Sequence, residues 1–140
     1  MKPIATNISP SLPRQARTGR CLKGLAVAAI VFGLITVVSG GRALFGSQEM
    51  QAAMGDVVPF VLWFNFLFGF VYMLAGAALL ARWHRATQIS LLIAAATLLV
   101  FGAFGVHVLG GGAYEMRTVG AMTLRSSFWI FVTVVALRTK

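Results

Sequence analysis

The chain has 140 residues, 59% of them hydrophobic and 11% charged, with a mean hydropathy of +0.86. A soluble domain carries about 25% charged residues, and so short a chain has too little interior to hide this much apolar surface; a water-soluble domain is excluded, and one all-α integral membrane domain is expected. The net charge of +9 does not indicate nucleic acid, because the bases cluster at the ends of apolar runs and form no groove-binding patch.

Residues 1–21 carry Pro3, Pro10 and Pro13, several bases, no acid and little apolar periodicity. They read as a disordered basic tail lying on anionic headgroups. A cleaved signal peptide would place its apolar region at 24–38, but no A-x-A site follows, only "VVSGG". A mitochondrial presequence would share the basic character, but the prolines spoil its amphipathic helix. Cys21 is the single cysteine, so no intrachain disulfide and no cysteine-based metal framework can form.

Four apolar runs follow in the domain 22–138, at about 22–39, 57–81, 89–109 and 118–137. Each approaches or exceeds the roughly 20 residues that a helix needs to cross about 30 Å of hydrocarbon. Four spans cannot close a barrel, so the expected architecture is a four-helix bundle. Gly24 with Ala28, and Ala29 with Gly33, give small-xxx-small spacing on the first span, as close helix packing requires. The short connections "RWHRATQ" and "GGGAYEMR" make the second and third, and the third and fourth, spans antiparallel neighbours. Trp83 and Tyr114 fit interfacial anchors.

Charge placement sets the expected threading. Lys2, Arg14, Arg17, Arg20, Lys23, Arg82, Arg85, Arg138 and Lys140 fall on one side with no acid among them. Arg42, Arg117 and Arg125 fall on the other, balanced by Glu49, Asp56 and Glu115, the only acids of the chain. The positive-inside rule makes the first side cytoplasmic, with both termini inside (N-in/C-in).

The stretch "HVLGGGAYEMRTVGAMTLR" (107–125) gathers the chemistry. Arg125 lies about seven residues into the fourth span, on the order of 10 Å deep. An arginine there must snorkel, pair or face water. Thr118, Met122, Arg125 and Trp129 follow helical steps and share a face. Asn65 lies at similar depth on the second span, with Trp63 nearby. His107, Glu115 and Arg117 sit at the outer ends. Trp63, Asn65, His107, Glu115, Arg117 and Arg125 are therefore expected to converge in the outer half of the bundle. Arginine offers a planar set of donors for carboxylate, phosphate or a quinone carbonyl, and histidine can move a proton. Gly110 to Gly112 read as a sharp turn.

Three functional readings follow. The first is a non-catalytic accessory or subunit protein of a membrane complex, whose outer cluster contacts a protein partner, a second copy or a small ligand. The second is a quinone-linked redox or proton-handling protein using His107, Glu115 and Arg125. The third is handling of a small anion or of Cu(I), the copper form drawing on Met50, Met54, His107, Met116 and Met122 as soft ligands. No M-x-M or H-x-M cluster accompanies them, and methionine is common filler in apolar bundles. Sets for soluble-type hydrolase or nucleotide chemistry are absent.

The layout of four short spans with both ends inside resembles the DoxX-like group of small bacterial membrane proteins, over residues 22–137. That group includes proteins linked to quinone-coupled thiol or sulfur oxidation and to maturation of redox enzymes. Its first-span pattern is not found here. The stretches "VPFVLWFNFLFGFVYMLAGAALL" (58–80) and 107–125 look like those of small proteobacterial four-span proteins. The resemblance implies a bacterial inner-membrane address and carries over no catalytic residue.

Overall fold

The computed structural model describes residues 13–139, with side chains from residue 17 onward. The described residues form five helices: α1 (Pro13–Phe45), α2 (Gln48–Ala52), α3 (Pro59–Leu80), α4 (Ala86–Leu109) and α5 (Met116–Arg138). The four long ones are each long and apolar enough to cross a bilayer. Large apolar side chains such as Leu74, Leu92, Leu99 and Val106 are exposed around the outside, where lipid is the solvent that accepts them.

Helix α1 is longer than the first apolar run at both ends. Its 33 residues span about 50 Å, against about 30 Å of hydrocarbon. Of the segment 1–21 expected as a disordered tail, residues 13–21 are helical and residues 1–12 lie outside the described residues. Pro13 opens the helix where its missing N–H costs nothing, and Arg, Gln and Ala then favour helix. At the far end the helix runs on through Arg42 to Phe45. Ser47 then caps the short α2, accepting from the Met50 N–H at 3.4 Å. Val58 is extended, as a residue before proline must be, and Pro59 starts α3.

Two turns share one device. At the end of α4 the Gly111 N–H donates to the Val108 carbonyl and the Gly112 N–H to that of His107, both at 3.0 Å, with Gly111 at φ +82°. This is a Schellman terminator with glycine at its left-handed position. At the end of α3 the same pair of bonds recurs, Arg82 to Leu79 at 3.2 Å and Trp83 to Ala78 at 3.0 Å. There the left-handed residue is Arg82, at φ +52°. A side chain at that conformation costs roughly 1 kcal/mol relative to glycine.

Packing is uneven. α1 and α3 run antiparallel in the closest contact of the molecule. A Cβ placed on Gly33 would lie 2.6 Å from the Gly69 carbonyl oxygen, and one on Gly76 would lie 2.7 Å from that of Ala26. Of the two small-residue pairs on the first span, Ala29 and Gly33 are buried at this seam. Gly24 and Ala28 are exposed. α4 pairs with α5. By contrast, no Cα of α3 lies within 8 Å of α5, and these helices meet through side chains. The Tyr72 and Trp129 rings, both fully buried, stand 5.0 Å apart. Around them Ala26, Ala75, Ile93 and Val132 form the main core. Val58, Val61, Phe104 and Met122 form a second cluster toward the other end.

Candidate functional site

The gap between the helix pairs opens into a cavity of about 230 Å³ near the α2 end of the bundle. Its walls come from α1 (Thr36, Ser39, Gly40, Ala43), α3 (Val61, Leu62, Asn65) and α5 (Thr118, Ala121, Arg125). Met54, Val57 and Glu115 contribute from the chain that roofs it, and Arg117 from the first turn of α5.

Arg125 is the centre of this site. Only 8% of it is exposed, so it faces the bundle interior rather than reaching out to headgroups. Its guanidinium carbon lies 5.7 Å from the centroid of the Phe32 ring. Its Nε is sealed with no acceptor, and no carboxylate among the described residues pairs with it. The Thr36 hydroxyl and the Asn65 Oδ1, which line the same cavity, are also buried and unpartnered. Buried polar groups are ordinarily bonded, since leaving one unpaired costs about 1–3 kcal/mol and more for a charge. Three such groups belong to residues around one cavity, each of the three atoms itself closed to water.

The polar set continues away from the cavity. The Ser126 hydroxyl and the Trp129 indole nitrogen are buried without partners on α5. The Tyr72 and Thr97 hydroxyls, on α3 and α4, are likewise buried without partners. Sequence reasoning placed Trp129 on the Arg125 face but did not find Thr36, Tyr72 or Thr97. Single hydroxyls inside apolar runs carry no signal until helix rotation is known.

The six residues expected to converge divide. Asn65, Glu115, Arg117 and Arg125 line the cavity, and Trp63 and His107 do not. Trp63 is 46% exposed and packs edge-on against Phe45 and Phe66 on the outer surface. Two residues apart on a helix means about 200° of rotation, so it cannot share a face with Asn65. His107 belongs to the α4 terminator. Its ring rests against the Gly112 backbone, its Nε2 bonds the Ala113 carbonyl at 3.2 Å, and it stands nearly perpendicular to the Phe60 ring.

Glu115 and Arg117 strap the roof. The Asp56 N–H donates to Glu115 Oε1 at 3.1 Å, and Arg117 Nη2 donates to the Ala53 carbonyl at 3.3 Å. Gly55, at φ +71°, lies directly under the Glu115 carboxylate, where a Cβ would strike it. Glu115→Ala is expected to raise hydrogen exchange at the Asp56 amide about fivefold, reflecting roughly 1 kcal/mol for a partly solvated charged bond. Unchanged protection, read by mass spectrometry, would mean that Arg117 alone holds the roof.

The methionines considered as soft metal ligands have separate surroundings. Met50 and Met116 are exposed, Met54 lines the cavity, and Met122 is fully buried in the second cluster. Among the described residues no group of three or more His, Cys, Asp or Glu side chains is placed to hold a metal ion.

No family model, curated protein or solved structure matches this chain.

Proposed function

We propose that this chain is a four-span membrane protein that holds the acceptor oxygen of a small ligand against Arg125, in the outer half of its bundle. The observation that carries this reading is the buried guanidinium with an unpaired Nε beside a cavity whose other buried polar atoms, on Thr36 and Asn65, are unpaired as well. A carbonyl or carboxylate oxygen satisfies Arg125, and a hydroxyl on the same ligand satisfies the Asn65 Oδ1. The remaining walls are mostly apolar, supplied by Val58, Val61, Leu62 and Ala43. A few convergent polar groups in an apolar cleft is the usual make-up of a small-molecule site. A quinone head fits that chemistry. The site is concave and set among the helices, which supports a small molecule over a docked protein as the occupant. With His107 bonded to Ala113 outside the cavity, the redox version loses the proton carrier assigned to it. The protein acts as a binding or accessory component.

The charge distribution supports a threading with both termini cytoplasmic and the cavity toward the outer face of a bacterial inner membrane.

Titration of the purified full-length chain with a short-chain benzoquinone tests the reading. Saturable binding is expected, weakened at least about tenfold in Arg125→Lys, which keeps the charge but loses the planar donor set, and in Asn65→Leu. Affinity unchanged in both variants would overturn it.

A further inference from the structure

At the opposite end of the bundle lies a larger cavity, of about 610 Å³, walled by all four long helices and the turn after α3. Three cations from three elements line it: Lys23 of α1, Arg82 of the turn and Arg138 of α5. His84 and Thr87 join them. No acid takes part, since Glu49, Asp56 and Glu115 all belong to the other end of the chain's helices. We infer that this cavity is a binding site for the phosphate of an anionic phospholipid.

The wall includes Thr87, in the first turn of α4, where no side chain caps the helix, although the Ala86 N–H there already donates to the Trp83 carbonyl at 2.9 Å. Two further features agree on the ligand. Leu22, Leu79 and Ala136 make the rest of the wall apolar, which suits an amphiphile better than a free ion. The second feature is Arg82 itself. It occupies the left-handed position of a helix terminator, where glycine would be more stable, and its Nη2 reaches back over Gly19 of α1. A strained backbone that keeps a cation aimed across the cavity has a reason in what the cation binds. Converging like charges repel, and one phosphate bridging them turns the repulsion into attraction. Basic pockets between membrane helices bind phospholipid headgroups in this way. Neither Arg125 nor any other residue of the first cavity takes part.

The test compares retention of phosphatidylglycerol by the full-length protein, measured by native mass spectrometry from mixed phosphatidylcholine nanodiscs. Lys23→Gln with Arg82→Gln should lower retention at least about tenfold. Arg20→Gln with Arg85→Gln removes the same charge from the same end but off the cavity, and should lower it less than about twofold. An equal fall in both pairs would mean diffuse attraction to the basic end, and would overturn the site. Displacement of the lipid by an equal concentration of inorganic phosphate would overturn the lipid as its source. Arg82→Gly relieves the turn, so it should fold at least as well as the parent chain and still lose the lipid. Full retention in that variant would overturn the role of Arg82.

Discussion

Arg125→Met should make the ligand-free protein more stable while removing its affinity for the ligand. Methionine has nearly the length of the arginine stem and no charge to bury. The guanidinium contributes a cation–π contact with Phe32, worth about 0.5–2 kcal/mol. Against this stands the cost of taking a charge out of water, several kcal/mol even after relaxation, with no carboxylate to offset it. The cost wins, and replacing such a group by a well-packed apolar one is expected to stabilise by about 1–4 kcal/mol. The measurement is the thermal unfolding midpoint in detergent, with and without the benzoquinone. The parent chain should gain stability from the quinone, and the variant should start higher and gain none. A variant that unfolds earlier than the parent would show that the guanidinium holds the bundle together, and the binding reading would lose its foundation.

Gly33→Val should cause a large loss of stability. The new Cβ would lie 2.6 Å from the Gly69 carbonyl oxygen and 3.0 Å from the Met73 backbone nitrogen. Both are backbone atoms, so no rotamer change relieves the clash and the helices must separate. Overpacking of this kind costs about 1–3 kcal/mol, and the rigid neighbours here place it at or above the upper end. Gly24→Val and Gly102→Val are matched controls, because nothing lies within 4 Å of a Cβ at either position. They should be neutral or slightly stabilising by loss of glycine's flexibility. Equal midpoints for all three variants would show that α1 and α3 are not held by this close seam.

The spans and the all-helical class were legible because hydropathy over some 20 residues is a collective signal, which single polar residues cannot mask. The ends of α1 were not. Gly40 and Arg42 read as a loop, yet a helix that leaves the bilayer keeps its hydrogen bonds at no loss, and nothing forces it to stop until Gly46. Small-residue spacing showed that the first span packs closely but not on which side. Ala29 with Gly33 and Gly24 with Ala28 have the same spacing, and only the first pair faces α3. The candidate site divided for the same reason. Depth follows from counting residues, which grouped Asn65 with Arg125, and both line one cavity. Rotation follows from packing, so Thr36 was missed. Trp63 was grouped with Asn65 although a two-residue step turns it away. The triple glycine was legible as a turn, but its partner at Arg82 was not, because arginine carries none of glycine's usual message.

The difference between the α1–α3 contact and the α3–α5 contact has a mechanical consequence. Where α1 meets α3, backbone touches backbone, and such a joint is stiff: sliding by a fraction of an ångström already produces collision. Where α3 faces α5, only side chains bridge the gap, with Tyr72 against Trp129 as the main strut. Rings sliding across rings allow the small shear by which packed helices move. The α1–α3 pair is thus a stiff two-helix plate, and the Arg125 cavity lies where α5 faces it. The cavity's α1 and α3 walls are fixed to each other, so a change in its width falls on the contact with α5.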